Sequence, residues 1–163
     1  MLWRAAPALL LLFLSPACGE EETQESLLGK ARTALSQSDW ELAAEYADAA
    51  LNLVGADSDS YFRYEAQIAF VEAGAYVTPE LAQNRLHGLV LSSEVLIDDF
   101  VHLTMSFVKA SEHKRAFEIV QAARLKRLFG AALLDKLDVQ IRGYDLEALM
   151  RDYPGLLCTQ EDM

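Results

Sequence analysis

Chemistry in this chain would have to come from a short roster, because only three histidines and two cysteines stand among its 163 residues. His87, His102 and His113 are widely separated, whereas a helical metal site needs ligands that return to one face within about a turn, as in His-Glu-x-x-His. Helix and turn positions partly open to water are the expected place for all three. Asp98 and Asp99 are adjacent carboxylates, but neighbours on a helix point apart and do not share one proton. No serine, cysteine or lysine nucleophile lies in a recognisable motif, and there is no glycine-rich phosphate loop. The expectation is therefore a protein that binds rather than catalyses, with no metal and no cofactor.

The two cysteines carry more information. Residues 1–17 read as a signal peptide, with a basic start at Arg4, an apolar run from Ala5 to Leu14 and a small exit, Ser15-Pro16-Ala17. Such a run is shorter than the roughly 20 residues that span a bilayer. Cys18 follows at once, and residues 18–25 are a polar, acidic tether. This order resembles the lipobox of bacterial lipoproteins, in which the cysteine is lipidated and becomes the first mature residue. Ala17 fits that pattern. Ser15 and Pro16 depart from it, and Leu14 stands one place early. Ser15 and Ala17 suit ordinary secretory cleavage equally, which leaves a soluble periplasmic or secreted protein as the alternative. The resemblance implies Cys18 as the lipidation site, membrane attachment through that lipid and, with no Asp after the cysteine, sorting to the outer membrane of the cell envelope. Cys158, in the tail 156–163, is then a free, partly buried thiol; without lipidation it is a disulfide partner for Cys18.

Charge divides the chain. Overall there are 25 acidic and 14 basic residues, a formal net charge of −11, which disfavours nucleic acid as a partner. Residues 18–100 hold 16 acidic and 4 basic side chains, whereas residues 101–163 hold nine of each. Within the balanced half, Lys114, Arg115, Arg124, Lys126 and Arg127 form a basic patch. It reads either as compensation of helix ends or as a contact for an acidic partner or anionic lipid.

The elements that position these residues are helical. Apolar residues recur at helical spacing from Ser26 to about Pro154, with no sustained alternation. Helices are expected over 26–37, 40–54, 59–74, 79–91, 95–110, 113–127, 130–141 and 145–152. Ser38 or Asp39, Asp57 or Asp59, and Thr78-Pro79 supply start signals, while Gly143 and Asp145 separate the last two helices. The hairpins share content: small Ala31 and Ala34, a turn at Ser38-Asp39-Trp40, then Ala43 and Ala50. Phe100, Leu103, Phe107, Ala116 and Ala123 repeat that order, with Ala116 lying 73 positions after Ala43. Between them a degenerate unit carries Tyr61-Phe62, Ala66, Ala69, Phe70 and Gly74, and Ala75 to Thr78 lengthen its turn.

Together these hairpins resemble tetratricopeptide repeats, whose period is about 34 residues. The resemblance implies an all-α fold of antiparallel helical hairpins over 26–128, stacked as a short α-solenoid, with a capping helix pair over 129–155. It also implies a concave groove for a peptide or partner helix of the envelope. Leu28, Arg32 and Leu35, then Arg63, Gln67 and Phe70, then Val101, Met105 and Val108 are the groove candidates. A small-ligand carrier and a homo-oligomerising structural protein are the rival readings.

Overall fold

The computed structural model describes residues 23–53 and 60–152. The signal peptide, Cys18, most of the tether, Asp57, Asp59, Pro154 and Cys158 lie outside the described residues, as do the side chains of Leu146, Leu149 and Met150. Among the described residues there are seven helices and no strand: α1 (Gln24–Ser36), α2 (Trp40–Asn52), α3 (Ser60–Val77), α4 (Pro79–Ser92), α5 (Ile97–Lys109), α6 (His113–Lys126) and α7 (Ala131–Asp152).

Local chemistry explains the boundaries. Thr23 caps α1 by accepting from the Ser26 N–H, and Asp39 caps α2 by accepting from the Leu42 N–H. Pro79 opens α4 at a position where no N–H is needed. Four helices end in one way. After α1, α4, α5 and α6, a non-glycine residue adopts left-handed φ: Ser38 at 59°, Ser93 at 61°, Ser111 at 65° and Arg127 at 53°. In each case that residue and the next donate back to the last helical turn, as in Asp39 N–H to Ala34 O and Glu112 N–H to Phe107 O. Ser93 and Arg127 stand 34 positions apart, and Ser38 and Ser111 stand 73 apart, the same separation as Ala43 and Ala116.

Two expected boundaries differ. Residues 75–77 extend α3 and do not lengthen a turn, leaving Thr78 alone between α3 and α4. Ala75 is buried, and Tyr76 stacks flat on Trp40 with ring centroids 4.1 Å apart, so tertiary contact holds the extra turn. The capping pair is one helix, since α7 runs through Gly143. A lone glycine weakens a helix by only about 1 kcal/mol, too little to end it without a competing cap.

Short turns make antiparallel neighbours of α1 and α2, α3 and α4, α5 and α6, and α6 and α7. α3 packs on both α1 and α2 and then on α4 and α5, while α4 packs on α6, and α7 closes the far end against α5 and α6. Gly74 faces Ala82 across the α3–α4 contact, and a Cβ there would meet the Ala82 Cβ at 3.0 Å. The core is divided. Leu27, Leu28 and a set of alanines fill the α1–α3 end, and Phe100, Leu103, Phe107, Ile119, Leu134 and Leu137 belong to a larger cluster spanning α3–α7.

Candidate functional site

The helices α2, α4 and α6 form a row with one gap. α4 and α6 pack directly and are tied by a polar link: Arg115 donates to the buried Gln83 side chain (2.6 Å), and Gln83 donates to Glu118 (2.7 Å). α2 and α4 stay apart, and between them lies a groove of about 500 Å³. Phe70 of α3 forms its floor. Ala44, Glu45 and Asp48 of α2 line one wall, and Leu81, Asn84 and Arg85 of α4 line the other. Arg85 lies over the Phe70 ring, 4.4 Å from its centroid, and reaches Asp48 at 4.0 Å. The groove therefore has an apolar floor, an exposed Leu81 on its lip and an acidic wall with its nearest cation already engaged.

The sequence-predicted groove residues are distributed differently. Leu28 and Val108 are buried in the core and hold the hairpins together, so they offer no surface to a partner. Leu35, Val101 and Met105 are half-buried against the same clusters. Phe70 reaches the groove from below while being only 7% exposed. Arg32 is exposed and pairs with Glu65 at 2.6 Å. Arg63 and Gln67 do meet, in a polar depression of about 400 Å³ with Ser60, Tyr64 and Glu94. Helical periodicity finds apolar faces, but a helix packed on two sides buries both, so it does not distinguish floor from core.

The basic residues do not form one patch. Lys114 and Arg115 begin α6, and Arg124, Lys126 and Arg127 end it, about 1.5 Å per residue away along a 14-residue helix. Arg115 is half-buried against Glu112 and Gln83, while Arg124 bridges Asp135 at 3.0 Å and Asp138 at 2.8 Å. Lys126 and Arg127 are exposed.

The carboxylate pair separates as helix geometry requires. Asp99 accepts from the Tyr64 hydroxyl at 2.6 Å, which in turn accepts from the Leu96 N–H at 3.0 Å, while Asp98 faces water. Burial, together with the hydrogen bond to Asp99, pushes the Tyr64 hydroxyl up to about 12. Burial likewise raises Tyr76, with the Glu72 charge adding to it. His102 contacts Glu72 at 2.9 Å on an open face.

No family model, curated protein or solved structure matches this chain. Among the described residues there is also no group of three or more His, Cys, Asp or Glu side chains placed to hold a metal ion, and no helix is long and apolar enough to cross a membrane.

The α2–α4 groove was hidden in the sequence because it is defined by helices that do not meet. Of its lining, Phe70 alone is among the groove candidates of the sequence. The available signal was Leu81, an apolar residue off the buried face of α4 marked by Ala82, Leu86 and Leu89.

Proposed function

We propose that this protein is an exported, tetratricopeptide-like adaptor of the bacterial cell envelope, held to a membrane by a lipid on Cys18, and that it binds a protein segment and performs no catalysis. The observation that carries this reading is the α2–α4 groove. An apolar floor at Phe70, an exposed Leu81 and a wall carrying Glu45 and Asp48 suit one face of an amphipathic helix whose flanks are basic. Apolar side chains of the partner would pack on Leu81 beside the Arg85–Phe70 stack, and its cations would lie along Glu45 and Asp48. Charge then selects the partner and its direction, while apolar burial sets how tightly it is held. The hairpin arrangement supports the same reading, because stacked helical pairs present extended surfaces between repeats.

The test is a titration of a labelled Leu/Lys amphipathic helical peptide against the chain, followed by fluorescence anisotropy, beside the same peptide with every Lys replaced by Glu. The basic peptide should bind and the acidic one should not. Leu81→Asp should abolish binding with the circular dichroism spectrum unchanged, and Asp48→Lys should reverse the preference. Equal binding of both peptides, or binding that survives Leu81→Asp, would remove the groove from this role.

A further inference from the structure

Six of the ten exposed large apolar side chains among the described residues share one edge of the stack. Leu53, Tyr61, Leu91, Leu96, Ile97 and Leu125 are all at least half-exposed, Leu96 at 62% and Leu125 at 86%. They lie at the end of α2, the start of α3, the end of α4, the start of α5 and the end of α6. In an up-and-down stack those ends fall on one edge, and contacts trace that edge from helix to helix. Gln24 at the start of α1 donates to the Ala50 carbonyl near the end of α2. Tyr64 in α3 joins Leu96 and Asp99 at the start of α5. Phe100 meets Phe129 just beyond α6, with ring centroids 4.7 Å apart, and Arg124 reaches Asp135 in α7. The opposite edge carries the Trp40–Tyr76 stack and the Gln83–Arg115 link, and among the described residues the exposed large apolar side chains away from the first edge are Leu42, Leu81, Val139 and Tyr144.

The same edge is where the N-terminus enters the fold. Cys18 stands six positions before Gln24, a reach of at most about 20 Å when fully extended. A lipid on Cys18 would therefore tether the folded body at this edge.

We infer that the edge formed by Leu53, Tyr61, Leu91, Leu96, Ile97 and Leu125 is the face that rests on the membrane. The inference rests on the lipid anchoring in the proposed function and extends it to the orientation of the folded body. Leucine and isoleucine side chains enter the boundary between headgroups and acyl chains, and the exposed Lys126 and Arg127 beside Leu125 lie at phosphate level. Glu25, Glu94 and Asp98 share this edge, so net charge does not drive the contact and apolar burial does. The α2–α4 groove, lined by Thr78 and Leu81 at the start of α4 and by Asp48 and Arg85 farther along the two helices, includes none of these edge residues.

The test uses the full chain carrying Trp3→Phe, which leaves Trp40 on the far edge as the native tryptophan, and adds Leu125→Trp or, separately, Leu96→Trp. Vesicles of phosphatidylethanolamine and phosphatidylglycerol with brominated acyl chains are the quencher, and the mass of the N-terminal peptide reports the state of Cys18. The expected result is blue-shifted, strongly quenched emission from position 125 or 96, and unquenched emission from Trp40. A chain that sediments with the vesicles while positions 125 and 96 stay unquenched overturns the edge contact and leaves the anchor standing. Quenching at those positions with an unmodified Cys18 keeps the edge contact and overturns the anchor. Equal quenching of Trp40 overturns the orientation, and a chain that neither sediments nor is quenched overturns the edge contact.

Discussion

The two ends of this stack are built from different materials. Buried positions of α1 and α2 are Leu27, Leu28 and six alanines, whereas those of α5 and α6 include Phe100, Leu103, Phe107, Val108, Ile119 and Val120. Alanines bring α1 and α2 close but bury little area, and so contribute little hydrophobic stabilisation. The larger side chains at the other end fill a continuous core that reaches α7. The gap follows the same division. Leu86, Val90, Ile119 and Val120 on α4 and α6 belong to one cluster, while α2 presents Ala44, Glu45 and Asp48 across a groove in which Arg85 covers Phe70. The light end is thus where the groove remains, and the heavy end holds most of the large buried side chains.

The sharpest way to break this contrast is to truncate a large side chain at each end. Phe100→Ala should lower stability by about 3–5 kcal/mol and Leu28→Ala by about 2–4. Urea denaturation measures the totals, and hydrogen exchange shows where each loss falls. Phe100→Ala should speed exchange throughout, whereas Leu28→Ala should speed it mainly in α1 and α2, as expected of a locally opening unit. If both variants speed exchange uniformly, the stack is one cooperative body and the contrast has no energetic meaning.

A second pair of substitutions probes the junction between the ends. Gly74→Ala places a methyl 3.0 Å from the Ala82 Cβ, with the Thr78 hydroxyl oxygen at 3.3 Å, in a fully packed crossing. The strain, about 1–3 kcal/mol, should outweigh the gain of roughly 1 kcal/mol in helix propensity. Gly88→Ala meets nothing within 4 Å and should stabilise by about 0.5–1 kcal/mol. Thermal melts of the two variants should therefore move in opposite directions. Equal upward shifts would mean that α3 and α4 move apart without cost.

The same materials explain what could be read from the sequence. The all-helical class was visible from periodicity, and the hairpin turns were visible in Ser38-Asp39-Trp40 and in the 73-position echo at Ala116. The final turn of α3 was not, because it depends on Tyr76 finding Trp40 across the stack. Continuity through Gly143 was missed because glycine is a strong punctuator only when a cap competes with the helix. Leu28 and Val108 were misplaced because spacing reveals which residues share a face, not how many neighbours that face has. The Tyr64–Asp99 and Gln83–Arg115 links join residues more than thirty positions apart and leave no local trace.

Tyr64 gives a smaller effect that isolates the seam between α3 and α5. Tyr64→Phe removes a hydrogen bond to Asp99 and one from the Leu96 N–H, which should lower stability by about 1–2 kcal/mol. The sign of the pH dependence is fixed by the raised hydroxyl. An ordinary tyrosine titrates near 10, and Tyr64 in the fold titrates at about 12. Between those values the folded state keeps a proton that the unfolded chain has lost, so this contribution is complete below about pH 10 and declines as pH rises toward 12. Urea midpoints should fall across that window more steeply for the native chain than for Tyr64→Phe. Parallel slopes would place the proton elsewhere.

The finest resolution of the contrast comes from the left-handed serines, which occupy the same turn position at the two ends. Ser38 follows α1 and Ser111 follows α5, and each has a Cβ in a backbone region where glycine is at ease. Replacing either with glycine should stabilise by about 0.5–1 kcal/mol, since the strain relieved exceeds the chain entropy added. The local chemistry of the two turns is matched, so any difference between the variants reports what the turn is attached to. Ser111→Gly should raise the main unfolding transition, because α5 belongs to the large core. Ser38→Gly should leave that transition nearly unmoved and slow hydrogen exchange in α1 and α2 alone. The reverse pattern would make the alanine-packed hairpin the part that holds the stack together.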